Sequence, residues 1–152
     1  MNKLNFFMLT LFLNVPFVHA HEFWKTTSEF EARVKAKNGY GVIRVLADEF
    51  NDCELNYEIE LTTHLNKKKD LNINGVGVLV NPYYEANFNS IKYWIKSKHG
   101  KKWIYNQLVN ERFVYIINDN KKYEFTTEGY DRTKVAIIES CLTNREKLIH
   151  SI

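Results

Sequence analysis

Residues 30–47 read FEARVKAKNGYGVIRVLA, and this stretch decides the fold class. From Phe30 to Lys37, apolar and charged residues alternate without interruption, as they do on a strand with one buried and one solvated face. Asn38-Gly39 follows, and the next eight residues are rich in Val, Ile and Leu. Alternation on both sides of Asn-Gly predicts a β-hairpin, because a type I′ turn needs positive φ at both central positions.

Six more stretches of the chain predict strands. Residues 53–61 alternate and place Cys53, Tyr57 and Leu61 on one buried face. Residues 73–80 form a β-rich run that Asn81-Pro82 ends. Residues 90–97 and 102–108 predict a hairpin across 98–101, and residues 111–117 and 121–127 predict another across 118–120.

The tail of the chain changes its period after Gly129. Apolar residues recur there at helical spacing: Val135, Ile138, Cys141 and Leu142. They predict one amphipathic helix over 132–143, with Asp131 or Thr133 as its N-cap. The predicted fold is therefore mainly β, an antiparallel sandwich or barrel of about eight strands closed by one C-terminal helix.

The first twenty residues, MNKLNFFMLTLFLNVPFVHA, have the pattern of a secretory signal. Lys3 precedes an apolar run that ends before Pro16, and Val18-His-Ala20 fits a signal-peptidase site. The run is shorter than the about 20 apolar residues that a membrane span needs. We therefore expect cleavage after Ala20, leaving residues 21–152 as one β-rich domain in the periplasm or outside the cell.

Export changes how the two cysteines are interpreted. Cys53 and Cys141 are the only cysteines of the chain, and oxidising compartments favour disulfides. Joined, they would close a loop whose entropic stabilisation is about 4–5 kcal/mol. Cys53 lies on the buried face of its strand and Cys141 on the apolar stripe of the helix, so both point inward. We predict that they form a structural disulfide.

Composition and charge exclude several classes of protein. Hydrophobic residues make up 45% of the chain and aromatic residues 14%, which is incompatible with a disordered chain. The 21 Lys and Arg residues against 18 Asp and Glu give a net charge of +3, too small for a general nucleic-acid binder. We expect a globular domain that binds no nucleic acid.

Basic and aromatic residues interleave over residues 91–105, IKYWIKSKHGKKWIY. On the predicted hairpin the lysines would crowd the tip, where they suit an acidic partner with aromatic anchors beside them. The alternative is a solvated turn whose tryptophans belong to the core. Tyr83-Tyr84 is either a second exposed aromatic site or a tyrosine corner that locks a loop. The candidate partner-binding residues are Tyr83, Tyr84, Trp94, Lys96, Lys98, His99, Lys101, Lys102 and Trp103.

The sequence contains no catalytic signature and one candidate metal site. No serine stands in a G-x-S-x-G context, and Glu58 and Glu60 on one strand face are typical of a solvated surface. A mature N-terminal His21 could chelate copper through its amine and imidazole, with His64, His99 or His150 completing the site. No zinc, calcium or phosphate-binding motif stands in the sequence. We predict no catalytic residues and no cofactor, and a small hydrolase or copper-binding protein remains an alternative.

The end of the chain offers one family resemblance. It is carried by FVYII at 113–117, YEFTTEGY at 123–130 and VAIIESC at 135–141. This ending resembles the close of small exported β-sandwich proteins of the invasion-associated locus B type and of type VI secretion accessory proteins. The resemblance covers about the last thirty residues and implies an exported, non-enzymatic sandwich closed by a helix.

Together these features predict an exported protein-binding module. Its expected role is that of an inhibitor or immunity protein against an exported toxin or envelope enzyme. The alternative is an accessory factor of a secretion or envelope system. The sequence does not identify the partner or the oligomeric state.

Overall fold

The structure is a computed structural model that describes residues 23–62, 68–85 and 89–150. The predicted leader over residues 1–20, together with His21, lies outside the described residues. Nine strands and two helices follow one another along the described chain: β1 Lys25–Ser28, β2 Glu31–Lys35, β3 Gly41–Asp48, β4 Glu54–Thr62, β5 Asp70–Ile73, β6 Val76–Glu85, β7 Ser90–Ile95, α1 Lys98–Asn110, β8 Phe113–Asn118, β9 Lys121–Thr126 and α2 Tyr130–His150.

The strands form one antiparallel sheet in the order β1-β2-β3-β4-β7-β6-β5-β8-β9. The sheet curls into a half-barrel whose concave face holds the core and both helices. The curl brings β9 close to the end of β2, where the Lys37 amide donates to the Glu124 carbonyl at 2.8 Å. The mainly β, antiparallel prediction is confirmed, but the architecture is a single curled sheet rather than two stacked sheets.

The hairpin predicted over residues 30–47 is present as β2 and β3. Glu31 to Lys35 pair with Val42 to Leu46. The apolar residues that alternate along both strands face the core, as the sequence predicts. The turn differs from the predicted type I′, because Gly39 has a φ of +75° and Asn38 is not among the residues with positive φ. The Gly39 amide donates back to the Ala36 carbonyl at 2.8 Å, which makes Gly39 the left-handed residue that closes a type I turn.

The β-rich run over 73–80 is not one strand ended by Asn81-Pro82. Asn74 and Gly75 both have positive φ and turn the chain from β5 into β6. Strand β6 then continues through Pro82, which lies opposite Tyr93 of β7. Proline is tolerated there because β5 pairs with β6 only as far as Leu79, so beyond that residue β6 pairs with β7 alone.

The second predicted hairpin is wrong, because residues 98–110 form helix α1. Ser97 caps this helix, its hydroxyl accepting from the Gly100 amide at 3.0 Å. A Cβ at Gly100 would lie 2.8 Å from Val78 and 2.9 Å from Ile95, so the glycine lets the helix approach β6 and β7 closely. The glycine thus serves helix–sheet contact rather than a turn. Residues 113–126 do form the third predicted hairpin, with Asp119 and Asn120 at positive φ.

Helix α2 is longer than predicted, running from Tyr130 to His150 rather than over 132–143. Its buried stripe also differs from the one read from the sequence. Val135 and Leu142 are exposed and Ile138 is half-buried, whereas the buried residues of the helix are Tyr130, Thr133, Ile137 and Cys141. Only Cys141 of the predicted stripe lies on the side that faces the sheet.

The predicted disulfide is present. Cys53, immediately before β4, is bonded to Cys141 of α2 with a Cα–Cα distance of 5.9 Å. Both cysteines are buried. A second tie lies near the start of α2, where the Trp24 indole donates to the Thr126 carbonyl at 3.0 Å and packs edge-on against Tyr130. The helix is therefore held to the concave face near its start and again at its middle.

Candidate functional site

Two of the predicted partner-binding residues meet on the convex face of the sheet. Trp94 lies opposite Asn81, and Tyr83 lies opposite Lys92, so the two aromatic side chains project from the same side of β7 and β6. Trp94 is 39% exposed and Tyr83 is 63% exposed. Leu79, two positions before Asn81 on β6, is exposed on the same face. We call Leu79, Tyr83 and Trp94 the convex patch.

The predicted basic cluster follows Trp94 along the chain and lies on a helix rather than on a hairpin tip. Lys96 follows β7, and the first two turns of α1 supply Lys98, His99 and Lys102, all of them exposed. We call these four residues the basic turn. The first turn of α1 contains no acidic residue, and a helix N-terminus itself carries partial positive charge. Side chains and backbone therefore add to one electropositive surface.

Three other predicted interface residues are placed differently. Lys101 pairs with Glu54 at 3.2 Å. The Trp103 indole donates to the Ile73 carbonyl at 3.2 Å, and its ring packs against the core from the concave side. Tyr84 belongs to the inward-facing set of β6, although its ring is partly exposed, and its hydroxyl donates to Asn89 Oδ1 at 3.5 Å. The structure thus separates these side chains from the convex patch.

The expectation that Glu58 and Glu60 form a solvated face is wrong for Glu58, which is only 5% exposed. Arg44, directly opposite on β3, bonds both carboxylates, with Nη1 2.5 Å from Glu58 and Nη2 2.6 Å from Glu60. Burial alone would raise the pKa of the Glu60 carboxyl, but the hydrogen bonds and charge of Arg44 lower it overall. Both carboxylates are thus committed to one guanidinium and do not form an acid–base pair.

Arg44 was missed because its role depends on the register between β3 and β4. It occupies an outward position of the hairpin strand, and the β3–β4 register sets it beside two carboxylates spaced two residues apart. The sequence does not indicate that register, because residues 49–53 between the strands do not reveal which residues will be opposite one another.

A second polar contact lies inside the core between β4 and α2. The hydroxyls of Tyr57 and Tyr130 are 3.1 Å apart and both residues are buried. Burial raises the pKa of Tyr57 to about 12, and it raises the pKa of Tyr130 as well. Both phenols therefore stay protonated at neutral pH and act as core hydrogen-bonding groups rather than as nucleophiles.

Clustered metal ligands are absent from the described residues. No group of three or more His, Cys, Asp or Glu side chains that could hold a metal ion occurs in that part of the chain. His21 and His64, two members of the predicted copper site, lie outside it. His99 and His150 are exposed, at the start of α1 and at the end of α2. The copper site therefore stays a prediction.

Comparison with known proteins adds no relative. No family model, no curated protein and no solved structure matches this chain. Within the described residues, neither helix is long and apolar enough to cross a membrane.

Proposed function

We propose that this chain is an exported module that binds another protein through the convex patch and the basic turn. The observation that carries the proposal is the exposure of Leu79, Tyr83 and Trp94 on one face of the sheet, with exposed basic side chains following Trp94 along the chain. Tryptophan and tyrosine are the residues that most often dominate the energy of protein–protein interfaces.

The composition of this surface indicates the chemistry of the partner. The apolar centre favours a partner surface with a complementary hydrophobic pocket, and the basic turn favours acidic side chains at its rim. Such a charge arrangement raises the association rate more than the affinity, whereas burial of Trp94 sets the dissociation rate. We expect an acidic protein as the partner.

The scaffold beneath the patch supports binding rather than catalysis. Trp94 is carried by β7, which pairs with β4 on one side and with β6 on the other. A surface on a paired, central strand loses little conformational entropy on binding. The carboxylates nearest to it, Glu58 and Glu60, are neutralised by Arg44.

Export is part of the proposal. The leader pattern of residues 1–20 predicts secretion, and the Cys53–Cys141 disulfide is compatible with an oxidising compartment. In such a compartment the partner that we favour is an exported toxin or envelope enzyme that this protein inhibits. The accessory role in secretion, which the C-terminal resemblance implies, is the alternative.

Photo-crosslinking tests the interface directly. A photoreactive amino acid is placed at Trp94 in the full chain, and a matched control places it at Glu139 on the exposed side of α2. We expect a single acidic protein to be captured at position 94 and not at position 139. The captured protein is then purified and its affinity for the unmodified chain is measured by calorimetry.

Variants then separate the two parts of the surface. Trp94→Ala should weaken binding by about 30-fold or more, as expected for an interface hot spot worth at least 2 kcal/mol. Lys98→Glu with Lys102→Glu should slow association without lowering the melting temperature. The matched control, Lys25→Glu with Arg33→Glu, reverses two exposed charges four strands and three strands from β7 and should leave binding unchanged.

The activity of the partner distinguishes the two roles. An inhibitor or immunity protein should abolish that activity at stoichiometric ratio, whereas an accessory factor should bind and leave it intact. Wild-type affinity in both Trp94→Ala and the Lys98/Lys102 double variant would reject this surface as the interface.

A further inference from the structure

Helix α2 carries a second row of apolar side chains on the side turned away from the sheet. Val135, Leu142 and Ile149 are 48%, 46% and 66% exposed, and they follow one another at intervals of seven residues. At 3.6 residues per turn, this row lies roughly 135° around the helix from the side that packs on the sheet. We call Val135, Leu142 and Ile149 the outer stripe. The helix therefore has one apolar stripe against the sheet and another that faces solvent.

The seven-residue interval is the spacing at which helices pack together in a coiled coil. With the outer stripe at the a positions of a heptad, Ile138 and Arg145 occupy the d positions. Ile138 is half-buried and continues the apolar row. Arg145 pairs with Asp52 at 2.8 Å, so its charge is compensated within the chain. A row of this kind fits a second helix with the same period.

The charges beside the outer stripe differ between its two flanks. Over residues 134–149, exposed Glu139 and Glu146 hold the e positions on one flank, and Lys134 holds a g position on the other. A two-fold axis parallel to the helices brings opposite flanks together, so Lys134 of one copy faces Glu139 of the other. Lys134 pairs with Asp131 at 2.8 Å, and its ammonium has three donors, so it can bind both carboxylates. An antiparallel pair would instead place the glutamates beside each other, where they repel.

We propose that this chain forms a parallel homodimer through the outer stripe of α2. A second copy fits because the surface is complementary to itself: the apolar row meets the same row, and the basic flank meets the acidic flank. The helix is already held in place by the Cys53–Cys141 disulfide and by its packing on the sheet, so dimerisation does not have to fold it. An anionic membrane surface fits less well, because two exposed glutamates flank the stripe.

The dimer does not involve the convex patch. Helix α2 contacts β1, β2 and β3 on the concave face, whereas Trp94 and Tyr83 project from the convex face of β7 and β6. Each dimer therefore presents two convex patches. A photoreactive residue at position 139 should capture a second copy of this chain, which is distinct from the acidic protein expected at position 94. Failure of either association leaves the other one standing.

Sedimentation equilibrium of the full chain with its disulfide intact tests the dimer. We expect a monomer–dimer equilibrium with a Kd on the order of 100 µM, because a contact limited to one helix is smaller than a standard interface. Multi-angle light scattering at the highest concentration should give twice the monomer mass and no larger species. A protein that stays monomeric at a concentration of about ten times that Kd would overturn the proposal.

A pair of variants tests the outer stripe. Leu142→Glu should weaken dimerisation at least 10-fold, because it places two like charges in the apolar row. Thr143→Glu adds the same charge at the next exposed position, outside the stripe, and should change the Kd less than 2-fold. Both positions are exposed, so thermal unfolding should confirm that both variants fold. A dimer that survives Leu142→Glu, or that Trp94→Ala dissociates instead, would overturn the proposal.

A third variant tests the orientation of the two helices. Glu139→Lys should weaken a parallel dimer by roughly 3-fold or more, because the substituted side chain faces Lys134 of the second copy. In an antiparallel dimer it would face Glu146 of the second copy and strengthen the association. Tighter dimerisation of Glu139→Lys would therefore overturn the parallel arrangement.

Discussion

Reduction of the Cys53–Cys141 disulfide is the perturbation whose magnitude follows most directly from the structure. The bond closes a loop of 88 residues that contains β4 to β9, α1 and the first half of α2. Loop-closure entropy for that length is worth about 4–5 kcal/mol of stability. A domain of roughly 130 residues has an unfolding entropy near 0.27 kcal/mol/K, so the melting temperature should fall by about 15–18 °C.

Calorimetry of the oxidised protein and of the protein held in excess dithiothreitol measures this fall with the side chains unchanged. The matched control is the Cys53→Ala, Cys141→Ala double variant, which should melt at about the temperature of the reduced protein and should not respond to dithiothreitol. A difference below about 4 °C between oxidised and reduced protein would refute the reasoning. The contacts of α2 with β1, β2 and β3 would then suffice to restrain the loop without the bond.

Three further predictions concern the charged pair, its pH dependence and the close helix contact. Arg44→Met should lower the free energy of unfolding by about 3–5 kcal/mol in urea denaturation, because Glu58 stays buried without its partner. Adding Glu58→Leu should recover most of that loss. A double variant no more stable than the single one would contradict this. The pKa of Glu60 is lowered in the folded protein, so its contribution to stability should be complete above about pH 4.5 and lost as the pH falls through the folded pKa. Equilibrium unfolding of wild type and Glu60→Gln between pH 2 and 7 checks the direction of this effect. Equal slopes of unfolding free energy against pH for the two proteins would exclude it. Gly100→Ala should destabilise the protein by about 1 kcal/mol or more, because the new Cβ would lie too close to Val78. Gly77→Ala is the control and should be neutral, since the nearest atom to its Cβ is 3.8 Å away. Equal melting temperatures of the two variants would show that α1 does not need the glycine.

The local sequence pattern was sufficient to predict those elements whose conformation depends on residues close to them in the chain. The alternation of residues 31–35 and 42–46 and the Asp119-Asn120 turn predict their hairpins because each strand's partner is the next one along the chain. The inward parity of β4 also placed Cys53 correctly relative to Cys141. The two hairpins form contacts over short sequence distances, so little tertiary information was needed for them.

Helix α1 was missed because its residues favour strands when taken singly. Trp103, Ile104 and Val109 suit a strand, and Gly100 between lysines is typical of a turn. What fixes the helix is the Ser97 cap together with burial of Gly100, Ile104 and Leu108. The contacts of α1 include β4, which lies far from the helix in sequence, so packing overrides local propensity.

Which residues belong to the candidate interface also depends on tertiary structure. Trp94 and the basic residues that follow it could be singled out by composition, and the structure leaves Trp94, Lys96, Lys98, His99 and Lys102 exposed. Leu79 joins Tyr83 and Trp94 only through the register of β6 and β7. Trp103, identical in kind to Trp94, is turned onto the core by the helix that no local pattern indicated.

The sequence by itself determined the strand parity, two of the hairpins and the pairing of the only two cysteines, because each depends on residue spacing or on the absence of another partner. Only the tertiary structure decided the curl of the sheet, the buried face of α2, the pairing of Arg44 with Glu58 and the seam that brings two hairpins together. These features arise from contacts between segments tens of residues apart. Their geometry depends on how the whole sheet twists and closes over its core, and no short window of sequence contains that information.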